Sequence, residues 1–173
     1  VSDARTIALL RGFSTIYVLG NATFGAGDDL TGFLIQGQNA ARTQLTLGAD
    51  ATITNVDIRE ASVTGTVDGN AILRNCYVIN ITYFTGFLYQ CEIAGTITLG
   101  GNAQADILSC YSGVAGTATP TIDMGGSGQA LGLRAYSGGV KIINKTGPES
   151  ASIDLISGQA KIDLTTCTGG KIV

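Results

Sequence analysis

Four short segments share a spacing that could hold a ligand: Ile72-Leu73-Arg74-Asn75-Cys76-Tyr77, Phe87-Leu88-Tyr89-Gln90-Cys91-Glu92, Ile107-Leu108-Ser109-Cys110-Tyr111 and Gly132-Leu133-Arg134-Ala135-Tyr136. Strand side chains alternate between faces. With the cysteines inward, the next residue points outward, and Tyr77, Glu92, Tyr111 and Tyr136 form one column, which Asp57 continues after Val56. Tyrosines beside a carboxylate suit a sugar, since the ring covers a pyranose face and the carboxylate accepts hydroxyl hydrogens. The same column suits a subunit interface, where Tyr is enriched, or plain packing on an exposed sheet face. A second candidate is the aromatic run Tyr83-Phe84 with Phe87 and Tyr89, expected in a loop leading into a strand. Loops on rigid scaffolds often bind ligands; rings folded back onto the scaffold are the alternative.

Much other chemistry is excluded. The chain has no His, so neither a serine nor a cysteine nucleophile has a histidine base. Cys76, Cys91, Cys110 and Cys167 lack CxxC spacing and read as buried, reduced thiols stacked in a core rather than a zinc site. Asp28 and Asp29 adjoin each other in a Gly-rich turn, which reads as a solvated turn or, less simply, a calcium loop. Asp123 and Asp154 align by the repeat described below, as stacked exposed positions or an ion site rather than a catalytic pair. Arg74, Arg134, Lys141 and Lys161 are too sparse for a lyase base cluster. Ten Lys and Arg against 13 Asp and Glu, without a basic cluster, exclude phosphate-driven nucleic-acid binding. No cofactor or metal is called for, and no apolar run reaches the length of a membrane span.

The elements that position these residues are short and β-rich. Residues 2–12 read as a helix, with Asp3 in its first turn, Gly12 as its stop, and a modest stripe of Ile7, Ala8 and Leu10 that caps the domain. From Thr15 onward Val, Ile, Leu and Thr alternate with Gly, Asn and Asp turns. A strand, a turn, an Ala and another strand recur, with Ala at 51, 71, 103, 130 and 160. Inexact repeats built of strands alone signal stacked rungs that share one core. The expected fold is all-β: a right-handed parallel β-helix, or β-solenoid, over 15–173, with a short N-terminal capping helix or linker over 1–14. Segments 20–31, 78–86, 111–120 and 144–151 read as loops. Charged residues are only 13% of the chain, which points to a face hidden against copies of itself, and neither end reads as a natural terminus.

With its Gly-Gly-x-Ala turns, its Asn/Gln/Ser-Cys ladder and its poverty in charge, the chain over roughly 40–173 resembles a bacteriophage tail fibre or tailspike β-helix. The resemblance implies a homotrimer in the virion tail, extracellular, joined to other tail or baseplate proteins and attached to host cell-surface polysaccharide, without membrane insertion. It favours a fibre over a depolymerase, because the chain is short and lacks Trp. The rival functions are a β-helix polysaccharide lyase or hydrolase and a bacterial adhesin passenger.

Overall fold

The computed structural model describes residues 2–101, 104–112, 120–126, 128–147, 152–169 and 171–173. The order is α1 (Ser2–Arg11), β1 (Thr15–Val18), β2 (Asn21–Phe24), β3 (Leu34–Gly37), β4 (Gln44–Leu47), β5 (Asp57–Arg59), β6 (Ser62–Arg74), β7 (Tyr77–Tyr89), β8 (Glu92–Ile93), β9 (Thr96–Leu99), β10 (Gln104–Leu108), β11 (Tyr111–Ser112), β12 (Thr121–Gly126), β13 (Ala130–Lys145), β14 (Ser152–Asp163) and β15 (Lys171–Ile172). Every described strand pairing is parallel. The fold is a β-solenoid of about six turns with one short N-terminal helix.

The pairings sort into three ladders, each with an inward column of aliphatic side chains. The first runs Ile16, Ile35, Ile58, Leu73, Leu88, Ile107 and Leu133, and its backbone register continues to Leu155. The second runs Ala22, Leu45, Val63, Val78 and Ile93. The third stacks Ile81, Ile97, Ile122 and Ile142. Most of these side chains are fully buried. A single rung could not hide both sides of its apolar residues; rungs about 4.8 Å apart cover one another and make one continuous core.

One corner repeats in detail. Between the first and second ladders a single residue adopts the left-handed conformation: Glu60, Asn75, Gln90, Ser109 and Ala135, with φ between 51° and 55°. Its N–H donates to a carbonyl of the next rung, as from Asn75 to Tyr89 (3.1 Å) and from Ser109 to Arg134 (2.8 Å). The residue after it turns inward, giving the column Ala61, Cys76, Cys91, Cys110 and Tyr136, all buried. All four cysteines are free; Cys76, Cys91 and Cys110 stack in the core as the sequence reading expected, whereas Cys167 is only half-buried and lies apart from them, its thiol donating to the Ile142 carbonyl (3.3 Å).

The helix ends where Gly12 takes φ +71°, with Gly12 donating to Leu9 and Phe13 to Ala8 in a Schellman pattern. Of the stripe Ile7, Ala8 and Leu10, only Ala8 is buried, at 5% exposure. The loop expectations need correction. Residues 78–86 lie inside the 13-residue strand β7, because Gly86, at φ +130°, bends that strand around a corner without breaking its pairing. A β-carbon there would overlap the Ala71 carbonyl. Residues 21–24, within the expected loop 20–31, form β2. Of the expected loops 111–120 and 144–151, Tyr111–Ser112 form β11 and Asn144 and Lys145 end β13, while 113–119 and 148–151 lie outside the described residues.

Candidate functional site

The outward positions of the second ladder run Asn21, Gln44, Ser62, Tyr77, Glu92, Tyr111 and Ser137 in strict register, and the backbone register continues to Gln159. Tyr77, Glu92 and Tyr111 therefore occupy three consecutive rungs, as their spacing after the cysteines predicts. Tyr136 does not join them. Its ring is 1% exposed, because Ala135 takes the left-handed corner and pushes Tyr136 into the inward place held by cysteine on the rungs before. Its ladder partner is Gly158, and Ser137 takes the outward place. Asp57 is also elsewhere: it pairs with Leu34 and Ile72 on the first ladder.

The three residues floor a groove of about 600 Å³, lined also by Ser62, Asn75, Cys76, Gln90 and the pair Ala40-Ala41. Asn75 and Gln90 are corner residues, so the conformation that bends each rung also places an amide on the rim. The Asn75 amide donates to Glu60 on the preceding corner (3.1 Å). Ala40 and Ala41 close one end from a pinned loop. The Asn39 carboxamide oxygen accepts from the N–H groups of Ala41 and Arg42 (3.0 Å each), and the Thr43 hydroxyl accepts from the Gln38 N–H (2.9 Å) and donates to the Val18 carbonyl (3.3 Å). Tyr111 is 44% exposed; Tyr77 and Glu92 are half-buried. Glu92 is the one carboxylate among the groove's lining residues, and no lining residue is basic.

Behind the floor, three thiols lie together in the core. Cys110 Sγ accepts from the Cys91 N–H (3.3 Å), and the Cys91 thiol donates to the Leu73 carbonyl (3.4 Å). The hydrogen bonds to Cys91 and then burial push the Cys76 and Cys110 thiols up, while those same bonds draw the first ionisation toward Cys91. No described cation faces the cluster, so it behaves as apolar filling.

The aromatic run separates. Phe84 is buried in the core and Tyr83, left-handed at φ 57°, is exposed; the turn between Thr82 and Phe84 sends the two rings to opposite sides, and neither lines the groove. Phe87 and Tyr89 lie on the outer side of the first ladder.

That outer side holds the basic residues that the sequence scatters. Arg59, Arg74, Tyr89, Leu108 and Arg134 share one column; Asp57, Ile72, Phe87, Asp106 and Gly132 share the next. Asp57 Oδ2 accepts from Arg59 (2.5 Å) and lies 3.4 Å from Arg74 Nε, whose guanidinium stands 5.9 Å from the Tyr89 ring centre. Arg134 lies 3.7 Å from Asp106. The hydrogen bond to Asp57 raises the Arg59 pKa further. Arg59 and Arg74 thus stack beside Asp57, while Arg134 stands three rungs beyond Arg74 and Lys141 lies on the third ladder, so the bases stay spread out as the sequence reading expected. The stacking of Asp123 on Asp154 fails: Asp123 pairs with Thr98 and Ile143 on the third ladder, Asp154 with Gly132 on the first. Asp28 and Asp29 serve their turn, Asp28 accepting from Gly25 N–H (3.0 Å) and Asp29 from Arg5 (2.6 Å).

Among the described residues no cluster suits a metal ion and no helix is long and apolar enough to cross a membrane. No protein-family model matches the chain, and no curated protein or solved structure matches it.

Proposed function

We propose that this chain is a rigid adhesive segment of tail-fibre type that holds host-surface carbohydrate in the Tyr77–Glu92–Tyr111 groove. The observation that carries the reading is the composition of that groove: two tyrosines two rungs apart, about 10 Å, with a single carboxylate between them and amides on the rim. Aromatic faces, one acceptor and neutral amides recognise a neutral sugar. Glycoside hydrolysis needs a second carboxyl group across the groove, and none lines it. Each contact is weak, and display of many copies on one particle multiplies them through avidity.

The test is binding of the purified chain to a panel of surface glycans, followed by Tyr77→Ala and Tyr111→Ala on whichever glycan binds. Loss of at least tenfold in affinity in each variant, with the circular dichroism unchanged, supports the reading. Affinity that survives both changes places the ligand elsewhere.

The Arg59, Arg74 and Arg134 column favours a second reading, a polysaccharide lyase acting on an acidic polymer along the first ladder. A lyase base must give up its proton, and the pairing of Arg59 with Asp57 holds that proton more tightly. Incubation with uronate polymers decides it: new ultraviolet absorbance from an unsaturated product, lost in Arg74→Lys, would replace adhesion with catalysis.

A further inference from the structure

Helix α1 is docked by the wrong face for a simple cap. Ala8 is buried and Arg5 pairs with Asp29, so this side meets the solenoid. The larger apolar side chains face away. Ile7, Leu9, Leu10, Phe13, Tyr17 and Leu19 are each more than half exposed, Leu10 by 80%. On the helix itself Ile7 and Leu10 are 58% and 80% exposed, and apolar side chains this open on one face favour burial against a partner.

The helical period puts Asp3, Ile7, Leu10 and Arg11 on one face, at i, i+4, i+7 and i+8. The acidic residue lies in the first turn and the basic one in the last. We infer that a second copy of this chain docks on this face, its α1 antiparallel to the first and the two-fold axis at Ile7. In that arrangement Asp3 of each copy meets Arg11 of the other, Ile7 meets Ile7, and Leu10 lies over the small side chain of Ala4. A parallel arrangement would place Asp3 beside Asp3 and Arg11 beside Arg11. The face is therefore self-complementary in the isologous sense, and it joins two rods end to end while leaving the groove clear. The pairing is independent of any glycan in that groove.

Light scattering on the full chain at micromolar concentration tests this. The expected mass is two chains. Ile7→Asn with Leu10→Asn should give one chain with unchanged circular dichroism, since both positions are exposed. Asp3→Arg sets two repulsive pairs across the axis and should weaken pairing about tenfold; Asp3→Arg with Arg11→Asp should restore it. A wild-type mass of one chain overturns the inference. So does a mass of three, which would favour lateral packing, or a dimer that survives the double Asn change. Glycan binding by the monomeric variant, measured in parallel, reports on the groove alone.

Discussion

Tyr136 and Tyr111 stand at neighbouring corners and do opposite work. One ring fills the core, the other lies open on the groove. Burial pushes the Tyr136 phenol up to about 12, with Ser112 drawing it partly back. An unfolded tyrosine ionises near 10. Between about pH 10 and pH 12 the unfolded chain therefore releases a proton that the folded chain keeps. This contribution to stability is whole below about pH 10 and falls as pH rises through that window. Thermal melts of Tyr136→Phe should show a shallower fall there than the wild type; identical traces would assign the fall to the thiols instead. Glu92→Gln keeps shape and removes charge, so it should weaken a neutral glycan only a fewfold, against the larger losses expected for Tyr77→Ala and Tyr111→Ala. Calorimetric titration with the bound glycan separates the two outcomes. Cys91→Asp puts an unpaired charge between rungs and should prevent soluble expression, whereas Cys91→Ser should be tolerated at lower stability.

At the scale of the element, the left-handed corner decides the path of the chain. A non-glycine residue in that conformation costs on the order of 1 kcal/mol. Ala135→Gly should raise stability by about 0.5–1 kcal/mol, and Ala135→Val should lower it by more than ~1 kcal/mol, both read from denaturant midpoints. This corner also shows which parts of the fold were legible in sequence. Asn75-Cys76 and Gln90-Cys91 keep the same corner and the same inward thiol, so the Tyr77–Glu92–Tyr111 column followed from alternation alone. Ala135-Tyr136 carries the same corner in different letters. A small residue before an aromatic looked like Cys before Tyr, and the frame slipped by one. The recurring alanines misled in a related way. Ala160 lies on Gly138, and Ala130 on Gln104, because those alanines follow turns of unequal length and inherit no common register. The loop wall at Ala40-Ala41 left no signal in the repeat, since it belongs to a single rung. The arginine pair was hidden for another reason: Arg59 and Arg74 become neighbours only after rungs of unequal length are stacked.

At the scale of the molecule, each rung touches mainly the rungs above and below. Stability then accumulates by neighbour contacts, and opening starts at the ends. The amides of Leu73 and Leu88, in the middle of the stack, should be the slowest to exchange with deuterated solvent, and those of β1 and β15 the fastest. Uniform protection along the whole first ladder would mean that the stack opens as one unit. The groove draws its precision from the same arrangement. Its floor residues are fixed by backbone pairing, so a ligand meets a surface already in place and pays little to order it.

The corners at Asn75 and Gln90 are interchangeable in backbone terms, and that makes the protein a ruler. A chain lacking residues 75–89 would run from Arg74 straight into Gln90, keep a left-handed corner at the join and lose one storey, about 4.8 Å of length. Glu92 would then rest on Ser62, and Tyr77 would be gone. The gauge of the rod and the spelling of its groove are written in the same unit, so neither can be lengthened or cut without editing the other.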